Sequence, residues 1–153
     1  LDQTDNAQEI SEKLSLLAAE KILDTVDDVL ERKANFIDQD HTKATYAKKI
    51  DKAEGKINWN ENAQYILGKI NGLFPFPGAF FNFEGERYKV LKAAIGNGSG
   101  KIGEVLSDKL EIVCANDKTI KVLEIQRQGK KPQKIDDFML GSRIKKGLVI
   151  PNV

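Results

Sequence analysis

The stretch "GKINGLFPFPGAFF", residues 68–81, is where the chain changes its period. Ahead of and into it, Ala63, Ile66, Leu67 and Ile70 recur at three- and four-residue spacing, one face of an amphipathic helix. Asn60 is expected to cap that helix and Gly72 to end it. Pro75 and Pro77 forbid its continuation, because each lacks the amide a helix needs. After Gly78 the period drops to two. "AFFNF" (79–83) and "RYKVLKAAI" (87–95) flank the turn "EGE", and "GEVL" (103–106), "LEIVCA" (110–115) and "TIKVLEIQ" (119–126) follow. Five short strands with glycine-rich turns predict a small barrel or sandwich, with the five-stranded oligonucleotide-binding (OB) barrel a natural form. Phe74, Phe76, Phe80 and Phe81 mix with Pro, Gly and Leu rather than with Lys or Arg, which favours burial over ligand stacking.

Upstream, residues 34–58 are polar, rich in Lys and Asp, and long for a connection inside a compact domain, so they read as a linker. Before them Ile10, Leu14, Leu17, Ala18, Ile22, Val26, Val29 and Leu30 predict one or two helices. Thr4, Asp5 and Asn6 are N-cap candidates, and Arg32 and Lys33 suit the C-terminal end. Such a stripe must pack on something: the rest of this chain, or a domain that begins upstream. Downstream of the last strand come a basic loop, "RQGKKPQK" (127–134), a short helix, "IDDFMLG" (135–141), and residues without a pattern after Ser142.

The net charge of +1 conceals an asymmetry: residues 1–40 carry net −7, residues 41–84 net +2, and residues 85–153 net +6. Positive charge at that density suits a phosphate backbone. A mild lysine excess also keeps a domain soluble, and on charge alone this plainer reading ranks first. The basic clusters are Lys48, Lys49, Lys52 and Lys56; Lys89 and Lys92; Lys130, Lys131 and Lys134; and Arg143, Lys145 and Lys146. Converging in space, they would form a patch that tracks phosphates without reading bases.

Catalytic motifs are sparse. His41, the single histidine, falls in the linker, so a Ser/His/Asp triad or a two-histidine metal site is not supported. Cys114, the single cysteine, lies in a strand and allows no disulfide within the chain. "GNGSGKIG" (96–103) precedes a strand, whereas a phosphate-binding loop must open a helix. Asp27 and Asp28 read as a solvated helix face. No apolar run approaches the roughly 18 residues of a membrane span, and the acidic first residues do not read as a secretion signal. With no initiating Met, the chain is expected to be a piece of a longer, cytoplasmic protein.

The order of segments carries a resemblance. "TYAKKIDKAEGKINWNENAQYILGKINGLFPFPGAFFNFEGERYKVLKA" (45–93) resembles the junction and start of the C-terminal domain in methionyl-tRNA formyltransferases. The matching residues are Thr45, Tyr46, Ala47 and Lys49; Glu54 and Gly55; Ile57 and Trp59; Pro75 to Ala79; and Lys89 with Val90. "LEIQRQGKKPQKIDDFMLG" (123–141) resembles the family's Gly-Lys-Lys loop and following helix. Three positions depart: Asn58 stands for Asp, Gln128 for Pro, and Lys134 for a capping Ser or Thr, which predicts a frayed start to the last helix.

The resemblance implies an α+β chain: a small five-stranded OB-like β-barrel C-terminal domain with flanking helices, preceded by helices closing a truncated Rossmann-like α/β domain. The implied bounds are 1–33 for those closing helices, 34–58 for the linker and 59–153 for the C-terminal domain. It implies binding and positioning of initiator methionyl-tRNA for N-formylation in translation initiation. Lys49, Lys130 and Lys131 match by motif position; Lys48, Lys52, Lys89 and Arg143 extend the RNA-binding set by charge. The family's catalytic and folate-binding motifs match nothing here, so no catalytic residue or cofactor is assigned to this chain. The parent enzyme would use 10-formyltetrahydrofolate as formyl donor, act as a monomer and supply the missing N-terminal catalytic domain. Two alternatives stay open: the C-terminal domain of a related folate-dependent or sugar-nucleotide formyltransferase, and a stand-alone RNA-binding module.

Overall fold

The structure, a computed structural model, describes residues 4–152, so residues 1–3 of the expected first segment and residue 153 of the last lie outside the description. Helix α1, Ala7–Leu30, is one continuous helix. Asn6 caps it: its side chain accepts from the Glu9 amide at 3.0 Å while the Glu9 carboxylate accepts from the Asn6 amide at 2.9 Å. The helix stops where Arg32 enters the left-handed region at φ 58°. There the amides of Lys33 and Ala34 both donate to the Asp28 carbonyl, so Arg32 and Lys33 lie beyond the last turn instead of in it. No residue of α1 is buried. Its apolar stripe, including Leu14, Leu17, Ile22, Val26 and Leu30, faces solvent.

Residues 31–51 hold only a short 3-10 turn, His41–Lys43, and a second such turn, Lys52–Gly55, leads into the body of the fold. Helix α2 is Ala63–Gly72. It is capped by Asn62, not Asn60: the Asn62 side chain accepts from the Tyr65 amide at 2.7 Å. Asn60 is engaged earlier, its amide donating to the Asn58 side chain at 3.1 Å, a turn that an Asp at position 58 would make in the same way.

The strands are β1 Ala79–Phe83, β2 Glu86–Asn97, β3 Val105–Ser107, β4 Glu111–Cys114, β5 Lys118–Arg127 and β6 Gln133–Lys134. Among the described residues there are six, where the sequence predicts five. The extra strand, β6, lies inside the basic loop, where Gln133 and Lys134 pair with Ile125 and Glu124. All pairings are antiparallel, in the order β1-β2-β5-β4-β3, with β6 on β5. The sheet is open, and irregular chain covers both of its ends. At β1 the Ile57 amide donates to the Phe80 carbonyl at 2.8 Å; at β3 the Val105 amide donates to Leu148 and the Ile150 amide to Gly103, both at 2.8 Å. Covering an edge this way satisfies its backbone groups and blocks pairing with another chain. Residues 143–152, patternless in sequence, are therefore built in, with Ile144 and Ile150 buried and the Asn152 side chain accepting from the Trp59 amide at 2.7 Å.

One buried core joins Ile66 and Ile70 of α2 with Trp59, Phe81, Ile112, Ile120 and Ile125 of the sheet and its approaches. An aromatic row runs from this centre outward: Trp59 to Phe81 (5.8 Å between centroids), Phe81 stacked on Tyr88 (5.4 Å), and Tyr88 edge-on to Phe138 (5.8 Å). Of the four phenylalanines expected inside, Phe80 and Phe81 are buried. Phe74 is half-buried and Phe76 is 70% exposed, because the turn closed by the Gly78 amide on the Leu73 carbonyl leaves Phe76 on its outside. Helix α3, Ile135–Gly141, lacks a side-chain cap, as Lys134 requires. The β6 pairing and the burial of Ile135 and Phe138 hold it. No described helix is long and apolar enough to cross a membrane.

Candidate nucleic-acid interface

Strand β5 ends in Arg127, and the chain then turns sharply through Gly129 at φ +71°, a conformation that favours glycine. The Lys130 amide donates to the Arg127 carbonyl at 3.0 Å, and the Gln126 side chain donates to the Lys130 carbonyl at 2.9 Å. This fastened turn holds out Lys130 and Lys131 before β6 leads into α3. Past α3, the Ile144 amide donates to the Ser142 hydroxyl at 3.0 Å and Ile144 is buried, which pins Arg143 between them.

These pieces surround a cleft of about 570 Å³ between α3 and the ends of β2 and β5. Its walls carry Arg127, Lys130, Lys131 and Arg143 against the carboxylates of Glu86 and Asp137, and its base is formed by Tyr88 and Phe138, where the aromatic row emerges. Arg127 is committed to Glu86, which also accepts from the Tyr88 hydroxyl at 2.9 Å. Arg143 is loosely opposed by Glu84 at 3.9 Å. Among the described residues, neither Lys130 nor Lys131 has a carboxylate partner.

The ionisations follow from these contacts. The hydrogen bond from Arg127, then that from Tyr88, holds the Glu86 carboxyl below its ordinary value, and the same pair raises Arg127. Burial, helped by the bond to Glu86, pushes Tyr88 up to about 12, so it remains a hydroxyl donor through the neutral range. The cleft thus presents fixed positive charge with two uncommitted ammonium groups. That arrangement is suited to anions.

The sheet register divides the expected RNA-binding set. Lys89 pairs with Gln126 and Tyr88 with Arg127, so Lys89 lies on the opposite face of the sheet from the α3 cleft. There it lines a second cleft of about 310 Å³ with Arg87, Gln126 and Gln128, and Arg127 contributes to both. Lys48, Lys49 and Lys52 line neither cleft. Lys48 pairs with Glu54 at 3.6 Å, and Lys52 opens the 3-10 turn whose Gly55 lies against Gly78 and Phe80. A Cβ on Gly55 would stand 2.4 Å from the Gly78 carbonyl oxygen, so only glycine lets the linker approach β1 this closely.

Arg87 and Arg127 are the residues that sequence reading left out of the set. Arg127 carried a signal as the first residue of the basic loop; Arg87 carried none beyond its charge. Among the described residues no group of three His, Cys, Asp or Glu side chains could hold a metal ion, and burial pushes the Cys114 thiol up to about 12.

Comparison with known proteins identifies the family. Residues 49–143 match the family model described as formyl transferase, C-terminal domain. The chain is 61% identical over its whole length to a methionyl-tRNA formyltransferase of Pelagibacter ubique, covering 49% of that protein. It is 38% identical over 93% of its length to one from a Bradyrhizobium species, covering 47% of it. It therefore spans about half the length of these relatives. Among solved structures, a variant of HypX from Aquifex aeolicus superposes with a TM-score of 0.69 at 15% identity, covering 95% of this chain and 28% of HypX, a likeness of fold alone. The chain belongs to the formyltransferase family, and residues 49–143 are its C-terminal domain.

Proposed function

We propose that this chain is the RNA-holding part of a methionyl-tRNA formyltransferase. It binds initiator methionyl-tRNA and presents the aminoacyl end to a catalytic domain preceding it, which transfers the formyl group of 10-formyltetrahydrofolate to the methionine amino group during translation initiation. No residue of this chain is assigned to the donor or to the transfer step. In this reading residues 1–33 close the upstream catalytic domain, residues 34–58 tether it, and residues 59–153 form an OB-like RNA-binding body. The whole protein works as a monomer in the cytoplasm. The single supporting observation is the cleft beside α3, where Arg127, Lys130, Lys131 and Arg143 outnumber the carboxylates. Lys48, Lys49, Lys52 and Lys89 extend the contact along the tether and across the sheet.

Phosphate contacts give affinity that falls as salt rises, since each releases condensed counterions. Filter binding of initiator tRNA at increasing salt tests the reading. Retention should fall steadily with salt, and Lys130→Glu with Lys131→Glu should weaken it by roughly a hundredfold at low salt, two charge reversals beside phosphates. Absence of tRNA-dependent retention, or retention indifferent to both reversals, overturns it.

A further inference from the structure

The second cleft, on the sheet face away from α3, has a different chemistry from the first. Its guanidinium, Arg87, lies over the Phe80 ring with 4.1 Å between the guanidinium carbon and the ring centroid. Phe80 is 6% exposed and does not line the cleft, whereas Arg87 is exposed and does. The guanidinium therefore lies against the ring and is also open to the cleft. Lys89 stands next to it, its stem packed along Gly78. Gln126 spends its amide nitrogen on the Lys130 carbonyl, and its side-chain oxygen has no partner among the described residues; nor has the Gln128 side chain. Nothing lies within 4 Å of where a Cβ on Gly129 would stand, so the backbone is open to close approach.

A cleft that only tracked phosphates would need cations alone. This one adds a flat stacking surface backed by an aromatic ring, and amide groups able to pair with a base edge, features by which proteins hold bases out of a stack. We propose that it takes a single unpaired nucleotide of the bound RNA, the base stacked on Arg87 and edged by Gln126 or Gln128, the phosphate held by Lys89. The proposal rests on the RNA-holding reading above and adds to it a preference for an unstacked residue. Its volume, about 310 Å³, is at the small end of ligand-sized clefts and too small for duplex.

The test compares this chain's affinity for a short RNA hairpin bearing one bulged adenosine with its affinity for the same hairpin without the bulge. Both are measured for the native chain and for Arg87→Lys, alongside a titration with adenosine 5′-monophosphate. Lysine keeps the charge and loses the plane. The bulged hairpin should bind about five- to tenfold more tightly. Arg87→Lys should erase that preference while leaving the salt dependence unchanged. Equal binding of the two hairpins, or a preference that survives Arg87→Lys, overturns the nucleotide site while leaving the RNA-holding reading intact. Free adenosine monophosphate binding as tightly as the bulged hairpin overturns it in favour of a soluble-nucleotide site. If neither hairpin binds while initiator tRNA does, the nucleotide site falls and the RNA-holding reading stands on the tRNA result.

Discussion

Glu86 receives the Arg127 guanidinium and the Tyr88 hydroxyl on one carboxylate, so a single residue fixes the entrance of the α3 cleft. Its pKa is lowered from 4.5 in the folded chain, so on acidification the unfolded state takes up the proton first. Its contribution to stability is present above 4.5 and is lost as pH falls through the lower folded value. Thermal unfolding of the native chain and Glu86→Gln across that range should therefore show a gap that narrows on acidification; a constant gap would mean that the pair does not hold the carboxylate. A different single-residue limit operates at Gly55, where any side chain strikes the Gly78 carbonyl oxygen. Gly55→Ala should cost about 1–3 kcal/mol in denaturant unfolding, the usual range for overpacking. Residue identities in the α3 cleft were partly legible, since Lys130, Lys131 and Arg143 stand out as charge near one loop and one helix. That Lys89 faces away from them was not, because its face follows from pairing with Gln126, and register is a tertiary fact.

At the level of elements, period and breakers served well where an element is long. The helical spacing from Ile10 to Leu30, the Pro-Gly break after α2, and the alternation of β1, β2, β4 and β5 all appear in the fold. Strand β6 escaped because two exposed residues carry no alternation, and the path of residues 143–152 escaped because its apolar anchors, Ile144 and Ile150, follow neither period. The elements also differ in what they support. Since no residue of α1 is buried, a chain lacking residues 1–33 should keep its thermal midpoint, with a change below about 1 kcal/mol. Removal of residues 142–153 deletes the burial of Ile144 and Ile150 and should cost at least about 4 kcal/mol, which circular dichroism would register as loss of cooperative unfolding.

For the whole molecule, charge and topology act together. The excess of acidic groups in residues 1–40 and of basic groups after residue 84 was countable in advance, but only the fold shows that the turn after β5 and the segment after α3 meet around one opening. With Lys130 and Lys131 both changed to Ala, the slope of log affinity against log salt for initiator tRNA should flatten by about 1.5, two contacts at the usual increment each. A slope that does not change would place both ammonium groups away from phosphate.

The hydrogen bond from the Trp59 amide to Asn152 joins positions 93 apart in the chain, tying the exposed end of the C-terminal segment to the buried tryptophan. A ribosome making this protein must therefore bring Ile150, which is buried, and the asparagine beyond it clear of its exit before this contact can form. Until then the partly made domain has an unzipped flank at β3. Premature stop codons just upstream of that asparagine should then yield degraded product instead of a weakened RNA binder.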